Sequence, residues 1–245
     1  MAARCSAISS KPASSGMLDA LLADVRAQLA SRGGRSAQVQ KIAAAVYRKI
    51  KQWPAQRRNR FCRELWKSGT DEEGALAIYL YRHFRKQCAC CEFHLFEKWI
   101  DRCVHNWGHC DGVSHYLISA SIENDPALAP LLLPWTASPN RWKRRAAAVS
   151  LVHEARAGRN TGLILQVAER LLPDEDDLVC KAVGWLLKEA YARQPRQVAR
   201  FLRARKQSAP RLVLRIAAEK MTPAERALLL GPPTGASETP RDGRD

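Results

Sequence analysis

From residue 17 to residue 230 the apolar side chains recur every three to four positions, and no stretch alternates as a half-buried strand does between hairpin turns. That period confines the chain to helices, each burying one stripe. Segment 17–31 puts Leu18, Leu21, Leu22, Val25 and Leu29 on one face, and 36–52 does the same with Val39, Ile42, Ala43, Val46 and Ile50. Pro54 opens a third helix, in the first turn where its missing N–H removes no bond. Thr70, followed by Asp71, Glu72 and Glu73, caps a fourth that runs to about 86. Further helices are expected at 92–106, 108–120, 127–136, 139–156, 161–172, 175–192, 195–204, 209–219 and 223–230. They pair with short connections at a period of about 35–45 residues, as in HEAT or armadillo repeats. The expected fold is therefore all-α: HEAT-like helical repeats stacked into a curved solenoid with a basic concave face.

The two ends read differently. Residues 1–16 lack acids and are rich in Ser and Ala, a flexible extension by composition, and 231–245 reads as a disordered tail. The longest apolar runs, such as 128–135, are broken by Pro and are far too short to cross a bilayer. Eight Cys in 245 residues are too sparse for a disulfide scaffold. The expectation is a reduced, cytoplasmic chain with no membrane partner.

Charge narrows the function. Forty Lys and Arg against 24 Asp and Glu leave +16, which argues against a neutral cytosolic enzyme for small metabolites and for a polyanionic partner, nucleic acid first and anionic membrane second. Arg outnumbers Lys 28 to 12, and the guanidinium fork suits phosphate better than a point charge does.

Three motifs carry candidate chemistry. In Asn106-Trp107-Gly108-His109-Cys110-Asp111-Gly112, the Trp and Asp stand four apart and share a helix face, and two glycines suggest a close approach to the backbone. In Ser138-Pro139-Asn140-Arg141-Trp142-Lys143-Arg144-Arg145, a capped helix carries four cations in its first two turns, where the dipole disfavours them but an anion would be welcome. In Cys180-Lys181-Ala182-Val183-Gly184-Trp185, the Trp falls off the core stripe and Gly184 is read as clearing space beside it. His115 and His153 are read as ordinary helix residues.

Together these motifs resemble the DNA alkylation repair proteins of the AlkD type, HEAT-like-repeat alkylpurine DNA glycosylases. The resemblance runs from about Arg63 to Met221, through LWKSGTDEEGALAIYLY, WGHCD, LPWTASPNRWKRRAA and KAVGWLLKEAYARQP. It implies that 17–230 is a DNA-binding glycosylase domain whose lesion site is lined by Trp107, Asp111, Arg145 and Trp185. Asp111, Trp107 and Trp185 would be catalytic, and Arg145, Arg144, Lys143, Trp142 and Lys181 would bind DNA. The implied reaction is hydrolysis of the N-glycosidic bond of N3-alkyladenine and N7-alkylguanine in duplex DNA, without base flipping. The alternative is a non-catalytic HEAT-repeat protein for damaged or branched DNA. Trp53-Pro54-Ala55-Gln56-Arg57-Arg58 keeps only part of the family's N-terminal pattern.

Cys88, Cys90, Cys91, Cys103 and Cys110, with His94, His105 and His109, form the densest group of soft ligands, but not at the spacing of paired C-x-x-C zinc sites. No metal and no cofactor are expected. The expected partner is double-stranded DNA containing alkylated bases, bound by a monomer with no obligatory protein partner. No Lys is placed for a Schiff base, so no lyase step is expected.

Overall fold

A computed structural model describes residues 15–32 and 36–231, and the extension and the tail read from composition lie almost wholly outside that range. All the described regular structure is helical, so the all-α class holds. The chain divides into two compact units, one ending at His83 and one beginning at Phe84.

The first unit contains α1 (Ser15–Arg32), α2 (Ser36–Ile50), α3 (Ala55–Trp66) and α4 (Asp71–Arg82). Its core is the set of stripes that the periodicity marks: Leu18, Val25, Val39, Ile42, Val46 and Ile50 are all buried, against Phe61, Leu65, Leu76 and Leu80. Thr70 caps α4 by accepting from the Glu73 amide at 3.3 Å. The Glu73 carboxylate in turn takes the Arg26 guanidinium at 3.1 Å, tying α1 to α4.

The second unit contains α5 (Cys90–Arg102), α6 (Trp107–Asp111), α7 (Ser119–Asn124), α8 (Arg141–Val149), α9 (Val152–Ala157), α10 (Thr161–Leu171), α11 (Asp177–Tyr191), α12 (Pro195–Ala204), α13 (Arg211–Ala217) and α14 (Pro223–Leu230). At its centre α11 packs against α8, α9, α10, α12 and α13. Three expected helices take a different form. Segment 108–120 begins as α6, widens into a π-helical turn over Gly112–Ile118 and returns to α in α7. Ser119 Oγ donates to the Ser114 and His115 carbonyls at 2.9 and 2.6 Å, which compensates acceptors in the widened turn. Segment 127–136 forms two 3₁₀ stretches, Pro126–Leu132 and Pro134–Ala137, because Pro130 and Pro134 supply no amide to an α-helical ladder. Segment 139–156 breaks at Ser150–Leu151 into α8 and α9, with Leu151 at ψ −1. Gly158 ends α9 at φ +73, a left-handed position that favours glycine.

Candidate functional site

The site is built on α6, the π-helical turn, α8 and α11. Asn106 starts α6 by accepting from the His109 amide at 2.8 Å. The first turn then carries Trp107, which is 62% exposed, and the last carries Asp111, whose side chain is 21% exposed. Asn140 starts α8 in the same way, accepting from the Trp142 amide at 2.9 Å. One turn on, the buried Arg145 reaches across to α6. Its Nε and Nη2 donate to the two Asp111 oxygens, each at 2.8 Å, and its Nη1 donates to the Leu178 carbonyl at the start of α11. Asp111 and Arg145, 34 residues apart, therefore form one bidentate pair that joins three helices.

Trp185 is brought to the same region through a residue that sequence reasoning passed over. His115, in the π-helical turn four residues after Asp111, lies 5.3 Å from the Trp185 ring and 4.3 Å from the His153 ring. Burial of its ring, and after that the Arg156 charge, lower the His153 pKa below the ordinary histidine value. The Arg156 guanidinium also stands 5.9 Å from the Trp185 ring. Nothing in the spacing of His115, His153 and Trp185 signals this contact, since each lies on a different helical segment. Lys181 is exposed on α11, one turn before Trp185 and on its face.

The space beside Gly184 goes to a different neighbour. A Cβ there would stand 2.7 Å from Ile216 Cβ and 3.3 Å from the Val213 carbonyl, so the missing side chain admits α13 rather than clearing room beside Trp185. At Gly108 a Cβ would meet the Asn106 Oδ1 at 3.3 Å.

The cationic start of α8 is present, and the rest of its charge is also committed within the chain. Arg141 pairs with Asp176 at 2.7 Å, Lys143 with Glu97 at 3.0 Å and Asp101 at 2.9 Å, and Arg144 with Asp174 at 2.6 Å. Arg144 Nη1 further donates to the Ser138 and Pro139 carbonyls. Trp142 is half-buried with the Arg141 guanidinium 5.3 Å from its ring. Burial would raise the Glu97 carboxyl, but hydrogen bonds from Lys143 and His94 outweigh it and leave that pKa below the usual value. Asp176 behaves likewise: burial opposes its ionisation, while the Leu178 amide and Arg141 win.

The cysteines do not converge. Cys88 is buried and donates to the Phe84 carbonyl at 3.6 Å, whereas Cys90 and Cys91 are exposed. Cys110 is buried and donates to the Trp142 carbonyl at 3.3 Å, with its pKa pushed up to about 12 by burial and then by Asp111. Among the described residues no cysteine falls in a group of three ligand-type side chains close enough to share an ion.

Residues 18–221 match the protein family described as DNA alkylation repair enzyme. Among solved structures, a protein from Enterococcus faecalis described as a predicted DNA alkylation repair enzyme superposes with a TM-score of 0.70 at 15% identity, over 85% of this chain and 96% of that one. The smu.31 protein of Streptococcus mutans UA159 superposes with a TM-score of 0.63 at 16% identity, over 84% of this chain and 100% of that one. At such identities the likeness is one of fold. None of the curated proteins matches.

Proposed function

This chain belongs to the DNA alkylation repair enzyme family, and from that premise we propose that it hydrolyses the N-glycosidic bond of cationic N3- and N7-alkylated purines in duplex DNA, leaving the base unflipped. The observation that carries the reading is a carboxylate, Asp111, aligned by two charge-assisted bonds from Arg145 and still partly open to solvent, one helical turn from an exposed Trp107.

An alkylated purine already carries a positive charge, so its bond to C1′ is weak. The C1′–N bond breaks with its electron pair going to the base, which leaves neutral. The sugar becomes oxocarbenium-like, and a fixed carboxylate stabilises that charge best because it needs no reorganisation at the moment of reaction. Water then adds to C1′ and releases its proton, and in this reading Asp111 orients that water. Trp107 and Trp185 offer π faces to the cationic nucleotide. Arg145 uses three of its five N–H donors on Asp111 and Leu178, and a backbone phosphate takes one of the others. Lys181 supplies an exposed cation one turn from Trp185 on the same face of α11. Lys143 and Arg144 act indirectly, by fixing α8 so that Arg145 meets Asp111.

One observation favours the second reading, a non-catalytic binder of damaged or branched DNA: both Asp111 oxygens already accept from Arg145, which is also what a structural tie looks like. Incubation of methylated duplex with the protein, followed by chromatography of the released bases, separates the two. The glycosylase reading expects 3-methyladenine and 7-methylguanine with a matching yield of abasic sites. A folded protein that binds the duplex and releases neither base moves the assignment to the binder.

A further inference from the structure

Away from the Asp111 site, α12 carries a row of cations in a different electrostatic state. Its sequence, PRQVARFLRA, contains no acid, and Val198, Ala199, Phe201 and Leu202 are its buried face. Arg196, Arg200 and Arg203 are exposed and stand at i, i+4 and i+7, one stripe along the helix. Whereas every cation at the start of α8 has a carboxylate, neither Arg196 nor Arg200 has one among the described residues. The neighbouring acids are already held by other groups: Glu169 by Arg205, Glu189 by Arg156 and Lys220, and Glu225 by Tyr191 and Thr222. Arg203 acts on one acid, adding to the lowering of the Glu225 pKa after Tyr191 and Thr222. The stripe works against its own helix, because Arg196 faces the positive end of the dipole and Arg196 and Arg200 repel one turn apart. An external anion relieves both penalties.

The stripe also lies on a helix that supplies no residue to the Asp111 site. α12 packs on α11 and α14. α11 exposes Lys181, leaves Trp185 half-buried and buries Val183, Leu186, Leu187 and Ala190. The buried face of α12 is Val198, Ala199, Phe201 and Leu202, which leaves the three arginines on the opposite, exposed face of that helix. We propose that Arg196, Arg200 and Arg203 form a second nucleic-acid surface, which takes the sugar-phosphate backbone of a further duplex segment without reading its sequence. The stripe spans about 10 Å at 1.5 Å per residue, and that length meets about two to three phosphates of one strand. Guanidinium forks suit phosphate oxygens in particular. On this proposal one molecule holds two duplexes, one at the Asp111 site and one along α12.

The test uses the full chain and two undamaged 12-base-pair duplexes bearing a donor and an acceptor fluorophore, at low salt. Wild type brings the dyes together in proportion to protein concentration, and titration calorimetry gives two duplexes per chain. The triple variant Arg196→Gln, Arg200→Gln, Arg203→Gln gives one duplex per chain and no energy transfer, with its single-turnover excision and circular dichroism unchanged. Replacing the same three by Lys restores transfer in part. Asp111→Asn bridges as wild type does, which keeps this result separate from the catalytic assignment. One duplex per chain in the wild type overturns the proposal, as does a Gln variant that still bridges, or transfer that rises with the square of protein concentration and so reports a dimer. Loss of binding to phosphatidylserine vesicles in the Gln variant, with duplex stoichiometry unchanged, assigns the stripe to lipid and overturns it too.

Discussion

The Asp111–Arg145 pair makes each partner's role depend on the other. Asp111→Asn keeps size and shape, removes the negative charge and leaves one good acceptor for Arg145. In the proposed reaction, excision falls by about 10²–10³, the usual effect of losing one preorganised electrostatic group. Thermal unfolding shows a loss of about 1–3 kcal/mol, since a hydrogen bond to a charged group is exchanged for one to an amide. Duplex affinity holds or rises, because Arg145 is released from its counter-charge. Single-turnover excision beside equilibrium binding checks all three, and wild-type excision by a folded Asp111→Asn protein defeats the catalytic assignment. Asp111 and Arg145 are both legible in the sequence as candidates, but their direct bond is not. A list of motifs in chain order says nothing about which side chains meet across 34 residues, and the same blindness hides the acids that face Lys143 and Arg144.

Helix positions were largely readable, since an apolar stripe, an N-cap and a proline each leave a local mark. Thr70, Asn140 and Pro54 start their helices where their chemistry predicts. The break at Ser150–Leu151 is hidden because buried residues continue through it from Ala146 to Val152. The π-helical turn after Asp111 leaves no local mark either, because it is stabilised by Ser119 bonding back to carbonyls rather than by a change in apolar spacing. Gly184 shows how one residue governs the fit between two elements. Gly184→Ala drives a methyl into Ile216 of α13 and destabilises the protein by about 1–3 kcal/mol. Adding Ile216→Ala recovers part of that loss in a double-mutant cycle, whereas equal and additive losses would show that the two helices do not meet there. α8 is held differently, by ionised acids. Glu97 and Asp176 titrate below their ordinary values of 4.5 and 3.8. A depressed folded pKa means that the unfolded chain binds more protons, so this stability is complete at neutral pH and declines as pH falls from about 5 through the folded values. Melting temperatures measured from pH 7 to pH 3 should fall over that window, and an Arg141→Gln, Lys143→Gln variant should lose less of its stability across it.

At the scale of the molecule, the proposed function has a chain of +16 bind duplex DNA mainly by displacing counterions. Contact with about 5–8 phosphates gives a slope of log affinity against log salt of about −5 to −7. A salt-insensitive affinity would leave the excess of Arg without a role in binding. The sequence predicts the sign and size of this field well, because net charge is a sum. It does not predict which cations are available, because pairing is a matter of geometry. The ties on α8 give that distinction a practical edge. Asp174 holds Arg144 at 2.6 Å, so Asp174→Asn returns one cation to the surface and steepens the salt slope by about 0.9. A repair protein must leave intact DNA far more often than it stays. Carboxylates that seem only to brace a helix thus act as governors of dwell time: each acid-to-amide change trades speed of search for tightness of grip, with no alteration at the reacting atoms.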